Sequence, residues 1–375
     1  MASSFSSSND QILVEEKSSV RKFTLNRPKQ LNVFSPGMVS RFPELYAACA
    51  KDSSVKLIIL KGKGRAFCAG GDVAAAFRAI AQGGWRSGAD FFRKGFTMIY
   101  VVATHNKPQV SIVNGLVMGG GASAAIHGTF QVVTENTLFA MPETALGSFP
   151  DLGASYYLSR LPGFFGEYLG LTGARLNGAE MLACGLVTHF VPSAKLSLLE
   201  EALDKVDTSD PYVISSTISK FSEVPSLKEK SAYHRLNIVN KCFSQRTVEE
   251  IIATLEEEAA VHKEDWISFS IKSLKKASPT SLKITLRSIR EGRLQGISQC
   301  FVREFRMICH IFRGEISKDF YEGCRAILLD KDQNPKWEPS KIELVTEEMV
   351  DRYFTKVEDD DWDDLILTAN AIAKL

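Results

Sequence analysis

The spacing of apolar and polar positions changes character once along the chain. In "ILVEEKSSVRKFTLNRP" two short apolar-rich runs flank a serine pair, and Val20, Lys22 and Thr24 alternate with Arg21, Phe23 and Leu25. That period of two predicts an antiparallel strand pair. A helix is expected over residues 36–50, and "VKLIILKGKG" then reads as a buried strand closed by glycines. The same sequence of signals returns further on: "PQVSIVNG" predicts another buried strand, "GGGASAAIHG" a glycine turn opening a small-residue helix, and "QVVTENTLFAM" two strands. Strand, strand, helix, repeated from about residue 20 to 190, implies an α/β architecture. Beyond about residue 196 the period becomes helical, as in "RTVEEIIATLEEEAA" and "SLKITLRSIREGR". The expected organisation is therefore a core over 11–192 followed by a helical region over 193–372.

Composition narrows the class without adding chemistry. The chain has 375 residues, 45% hydrophobic and 24% charged, with a formal net charge of +1. It is long enough to bury a large core, and carries no overall field that would draw it to nucleic acid or an anionic membrane. No apolar run approaches the roughly 18 residues that suggest a membrane span. Seven scattered cysteines with no CxxC spacing imply free thiols in a reducing compartment. No HExxH and no dense His/Cys/Asp cluster occurs, so no metal is expected. "MASSFSSSND" (1–10) reads as a disordered leader rather than a signal peptide. At the other end, Ala373-Lys374-Leu375 is a conservative variant of the SKL address read by the peroxisomal import receptor, which predicts a peroxisomal protein. The acidic run in "VEDDDWDDLIL" reads as solvated surface, with an interaction tail as the alternative.

The candidate chemistry lies in two glycine loops and two acids. "KGKGRAFCAGGD" and "NGLVMGGGASAAIHG" each follow a predicted strand. Neither is a dinucleotide fingerprint, because Phe67 stands where that spacing needs glycine, and no Walker lysine is present. Bare backbone at two strand ends suits another task, the convergence of two N–H groups on one oxygen that gains negative charge. Tight packing of turns accounts for such glycines equally well. "GASAA" half-matches a serine nucleophile elbow at Ser123, but the last glycine and any assignable partners are missing. His127, on the same helical face, reads as a buried, satisfied histidine. The acids Glu143 and Asp151 stand in the otherwise apolar, small-residue stretch "FAMPETALGSFPDLGASYY", each directly after a proline. Taken alone they read first as helix-terminus residues, Glu143 beside a positive helix end and Asp151 as the N-cap of "LGASYYLSRL".

"NRPKQLNV", "RAFCAGGD", "NGLVMGGG" and "FAMPETALGSFPD", in that order and spacing, resemble the crotonase superfamily of acyl-coenzyme A enzymes. The pairing of "MPET" with "FPD", and the tail containing "SPTSLKITLRSIREGR" and "DKDQNPKWEP", is similar to its 3-hydroxyisobutyryl-CoA hydrolase branch, in the form that ends in a peroxisomal address. The similarity runs from about residue 11 to 340. It implies a spiral of ββα turns followed by a helical C-terminal region, and hydrolysis of a CoA thioester in valine breakdown. By the same resemblance the N–H groups of Gly71 and Gly120 form an oxyanion hole, the loop holding Ala69 and Asp72 lies along the CoA moiety, and Glu143 and Asp151 are the two catalytic acids. Glu143 would attack the acyl carbon or activate water, and Asp151 would accept a hydrogen bond from the substrate's 3-hydroxyl. No cofactor is implied, coenzyme A being part of the substrate. Superfamily relatives often form trimers or paired trimers, which leaves a homo-oligomer open.

The resemblance also has gaps. The hydrolase pattern carries an acid at a substrate-lining position where this chain has Gly95, and hydratases carry a second glutamate where it has Ser123. The second difference disfavours simple enoyl-CoA hydration, and another crotonase reaction, hydration or isomerisation, stays as an alternative. The first leaves open an altered acyl preference, weakened activity, or an acyl-CoA binder or assembly subunit without turnover. Arg27 and Lys29 are candidates for the CoA phosphates, though surface solvation explains them as well.

Overall fold

The computed structural model describes residues 10–367. The leader (apart from Asp10) and the terminal Ala373-Lys374-Leu375 lie outside them. The first strands are β1 (Ile12–Lys17) and β2 (Val20–Leu25), which pair antiparallel with Ile12 opposite Leu25. Helix α1 (Pro36–Lys51) begins at Ser35, whose hydroxyl accepts from the Met38 amide. Three strand pairs follow: β3 (Leu57–Gly62) with β4 (Ala66–Cys68), β5 (Gln109–Val113) with β6 (Leu116–Met118), and β7 (Phe130–Val133) with β8 (Leu138–Ala140). The first of each pair joins a six-stranded sheet ordered β1-β2-β3-β5-β7-β10, closed by β10 (His189–Phe190). The second joins a smaller sheet ordered β4-β6-β8-β9, with β9 (Leu176–Asn177) running antiparallel to β8. "QVVTENTLFAM" thus supplies two strands, as expected, but to different sheets.

Alternate residues of the central strands face two separate cores, which is why these strands read as continuous apolar runs. Ile58 and Leu60 point into the main core, Leu57 and Ile59 into a second core on the opposite face. Helices α2 (Val73–Thr104), which breaks at Gly84 (φ 75°, ψ 178°), and α3 (Gly120–Ile126) follow β4 and β6. Short helices α4 (Ala154–Leu158), α5 (Phe165–Thr172) and α6 (Gly178–Ala183) complete the spiral.

Beyond Phe190 the described residues form helices alone: α7 (Leu196–Leu203), α8 (Pro211–Ser219), α9 (Leu236–Phe243), α10 (Val248–Val261), α11 (Asp265–Lys276), α12 (Pro279–Gly292), α13 (Ile297–Arg313), α14 (Asp319–Cys324) and α15 (Glu347–Phe354), with short 3₁₀ and π turns between them. Leu199 and Leu203 of α7, with Ile214 and Ile218 of α8, cover the outer face of the large sheet. The polar side of β2 is covered too, since buried Lys22 reaches Asp204 at 2.9 Å. Phe301, Phe305 and Ile308 of α13 join the main core. The acidic run near the end is tied down: Arg86 meets Asp359 at 2.6 Å, and Trp362 packs 4.8 Å from Trp85.

Candidate active site

The three ββα turns place chemistry at one kind of position, just past the C-terminal end of a strand in the small sheet. Ala69-Gly70-Gly71 follows β4, Gly119-Gly120 follows β6, and Met141-Pro142-Glu143 follows β8. These strands are parallel neighbours, so their ends cluster. A Cβ on Gly120 would lie 3.8 Å from the Gly71 nitrogen, which puts the two amides side by side. The Cβ position of Gly71 has no heavy atom within 4 Å, so there is open space beside Gly71, whereas Leu152 stands against Gly120. Glu143 enters from the third strand end. A Cβ on Gly119 (φ 51°) would stand 2.7 Å from Glu143 Oε1, so only glycine there leaves the carboxylate its place.

Glu143 heads a short 3₁₀ turn (Glu143–Leu146) without capping it through its side chain. Its Oε2 is buried and has no hydrogen-bond partner. Burial raises its pKa to about 8, because the charged form loses water and gains no compensating donor from a side chain. Asp151 is 7% exposed, and its carboxyl is held well above the usual range by burial, then by the nearby charges of Glu143 and Glu304. Two acids in one apolar site, each resisting ionisation, are the arrangement from which a base or nucleophile working near neutral pH is drawn.

Asp151 is not the N-cap of α4. That position belongs to Gly153 (φ 85°), which follows Leu152 (φ 56°), and two successive left-handed residues turn the chain between the acid and the helix. The Glu304 carboxylate serves the helix instead: it accepts from the Gly153 amide at 2.6 Å, the Ser155 amide at 3.0 Å, and the Ser155 hydroxyl. Glu304 is fully buried on α13, and Arg303 beside it donates to Ser155 Oγ at 2.7 Å. A non-glycine residue at positive φ costs of order 1 kcal/mol, so the Asp151-Leu152 turn needs such bracing. No sequence signal marked Glu304. It sits in an amphipathic helix about 150 positions from its partners.

The remaining candidates fall around this centre. Leu152 links two of them: its Cδ2 lies 3.8 Å from a Cβ built on Gly95 and its Cδ1 2.5 Å from one built on Gly120. Ser123 is fully buried, its hydroxyl 3.4 Å from the Asp151 carbonyl, so it supports that loop and is not presented as a nucleophile. His127 is packed as expected, but its Nε2 lacks a partner, and burial pushes the imidazole down to about 4. Asp72 caps α2 by accepting from the Ala75 amide at 3.0 Å, and pairs with Arg27 at 3.4 Å. Ala69 donates to the Leu31 carbonyl at 3.0 Å, which fixes the loop's backbone. Arg27 also donates to the Val33 carbonyl at 2.7 Å, so its guanidinium is engaged within the protein.

Neighbouring Gly71 and Gly120 amides near a carboxyl whose pKa burial raises to about 8 are an arrangement suited to acyl transfer. Comparison gives that site its family: a model described as enoyl-CoA hydratase/isomerase matches residues 20–354, and the chain belongs to that family. Among its relatives, 3-hydroxyisobutyryl-CoA hydrolase 1 of Arabidopsis thaliana is 62% identical over 94% of each chain. Probable 3-hydroxyisobutyryl-CoA hydrolase 3 of the same plant is 61% identical over 96% of each. A solved structure of a carnitinyl-CoA dehydratase from Mycobacterium thermoresistibile superposes with a TM-score of 0.85 at 33% identity, covering 96% of this chain and 99% of that one. The spiral of ββα turns with a helical C-terminal region is accordingly this family's fold.

Proposed function

We propose that the protein hydrolyses 3-hydroxyisobutyryl-CoA to 3-hydroxyisobutyrate and free CoA. The observation that carries this reading is Glu143, whose Oε2 is buried without a partner and whose Oε1 lies 2.7 Å from where a Cβ on Gly119, the neighbour of Gly120, would stand. Similarity to relatives named for this reaction, at about three-fifths identity over nearly the whole chain, supports the substrate. In the proposed chemistry the two amides hold the thioester oxygen as it gains charge. Glu143 takes a proton from water attacking the acyl carbon, or attacks that carbon itself, after which water releases the acid. Asp151 accepts a hydrogen bond from the 3-hydroxyl and orients the acyl group. The sulfur leaves with the proton, as CoA thiol. No further cofactor enters this scheme.

The cellular part of the proposal is a place in valine catabolism within the peroxisome, supported by the terminal Ala373-Lys374-Leu375. A fluorescent fusion should be punctate and become diffuse when Leu375 is removed. The activity itself is tested by thiol release from 3-hydroxyisobutyryl-CoA. Wild-type protein should turn it over, and Glu143→Gln should lose roughly a thousandfold in kcat. Equal rates in both would reject Glu143 as the reacting group, and no release by wild type would reject the reaction.

A further inference from the structure

We infer that a hollow beside Gly95 extends the acyl end of the site, so that the protein takes 3-hydroxyacyl thioesters whose apolar branch is longer than the methyl group of 3-hydroxyisobutyryl-CoA. The inference rests on the hydrolase reading above and deepens it. Gly95 is buried in the second segment of α2, yet a Cβ built on it would meet nothing nearer than Leu152 Cδ2 at 3.8 Å. No other buried glycine among the described residues stands so free: each has a heavy atom within 3.3 Å of its Cβ position. Gly88, two turns earlier on the same helix, would strike Ile80 at 2.4 Å, and Gly170 on α5 would strike Ile289 at 2.6 Å. Close packing requires those glycines, and it does not require Gly95. In an interior packed as densely as an organic crystal, such a position borders a space open to an occupant.

One side chain joins this space to the reacting centre. Leu152 turns Cδ2 toward Gly95 and holds Cδ1 2.5 Å from a Cβ built on Gly120, so it stands between the hollow and the oxyanion glycine. The backbone of this wall is fixed on both sides. Before it, the Asp151 carbonyl accepts from Ser123 at 3.4 Å; after it, the Gly153 amide donates to Glu304 at 2.6 Å. An acyl group oriented by Asp151 therefore has Leu152 as its next neighbour, and the hollow lies along that side chain.

The space is also apolar. Positions three and four residues from Gly95 share its face of the helix, and they are Phe91, Phe92, Met98 and Ile99, all within the main core or packed against it. A water molecule there would find few of the two to four polar partners it needs, whereas an alkyl group gains by burial. Where the hydrolase pattern carries an acid, this chain offers room and no charge.

The test uses CoA thioethers, in which a methylene replaces the thioester carbonyl and hydrolysis is blocked, carrying a 3-hydroxypropyl chain with a methyl, ethyl or propyl branch on carbon 2. Calorimetry on the full chain reads their Kd. Wild-type protein should bind the ethyl compound about fourfold tighter than the methyl one, the gain from one buried CH2 group. Gly95→Met, which fills the hollow with a flexible apolar chain, should cut that ethyl-over-methyl preference at least roughly tenfold. Gly95→Ala makes only ordinary contact with Leu152 and should reduce the preference for the propyl compound, which covers the case of a Met variant that does not fold. The same order should appear in kcat/KM for the corresponding thioesters. Affinity that is flat or falls with branch length in wild type, or a preference untouched by filling position 95, would overturn the assignment. The hydrolase reading fails separately: branch-dependent binding without thiol release from any of the thioesters would keep the pocket and lose the reaction.

Discussion

Two regions of the molecule each bury a glutamate, and they treat it in opposite ways. At the junction of α5 and α12, Glu167 is fully buried and Arg293 grips both its oxygens, at 2.7 and 2.8 Å. At the end of β8, Glu143 keeps a buried oxygen with no partner and a pKa raised to about 8. Glu167 has its charge answered by one guanidinium nitrogen of Arg293 that donates to both oxygens, which is how a buried carboxylate is made structural. Glu143 has been desolvated and left unanswered. That arrangement costs stability and leaves a group able to accept a proton or attack a carbon. Burial alone therefore does not single out a candidate acid; on the proposed reading, an unmatched carboxyl close to the glycine loops does.

The comparison is broken most sharply by exchanging each acid for its amide. Glu143→Gln should abolish about three orders of magnitude of thioester turnover while the fold persists. Glu167→Gln should do the reverse, costing about 3 kcal/mol in a denaturant melt by leaving Arg293 facing a neutral amide, with kcat of the folded fraction little changed. Glu304 lies between these cases, because it is partnered but serves the loop of Asp151. Glu304→Gln keeps an acceptor for Gly153 and removes a charge near Asp151. It should lower kcat roughly tenfold and move the pH dependence governed by Asp151 to lower pH. A purely structural Glu304 would change the melting curve and leave the pH profile in place.

A smaller effect concerns the cost of the unmatched charge. Glu143's folded-state pKa is raised from 4.5 to about 8, so this residue's contribution to stability is full below pH 4.5 and is lost as pH climbs toward 8. Glu143→Gln removes that loss. Allowing for the residue's partial solvent contact, the variant should gain on the order of 1 kcal/mol at pH 8 and nothing at pH 4, read from melts at both values. The smallest effect is at Gly95, in the second segment of α2. A Cβ there makes ordinary contact with Leu152 at 3.8 Å. Gly95→Ala should therefore raise stability by up to about 1 kcal/mol, from helix propensity alone.

How much of this was legible in the sequence follows from where each signal resides. The strand pairs and glycine loops were readable because their periods and turn residues are local, and Glu143, Asp151, Gly71 and Gly120 stood in contiguous motifs. The placement of β7 and β8 in separate sheets was not, since a run of apolar residues says that a strand is buried and not which sheet it joins. The N-cap reading of Asp151 failed because local composition cannot reveal two left-handed residues at Leu152 and Gly153, nor a cap supplied from α13. Glu304 shares that difficulty. It looks like an ordinary polar residue on its own segment, and its surroundings arise only when the helical region folds back on the spiral. Arg27 shows the converse, a motif residue whose charge the fold had already engaged.

The central claim is that a buried, unmatched Glu143 performs the chemistry, and the pH dependence of kcat/KM for 3-hydroxyisobutyryl-CoA hydrolysis tests it most directly. The account predicts activity that rises as pH passes through about 8, where Glu143 ionises in the free enzyme. A profile already flat above pH 5, from a wild-type protein with full activity, would mean an ordinary carboxylate and would contradict it.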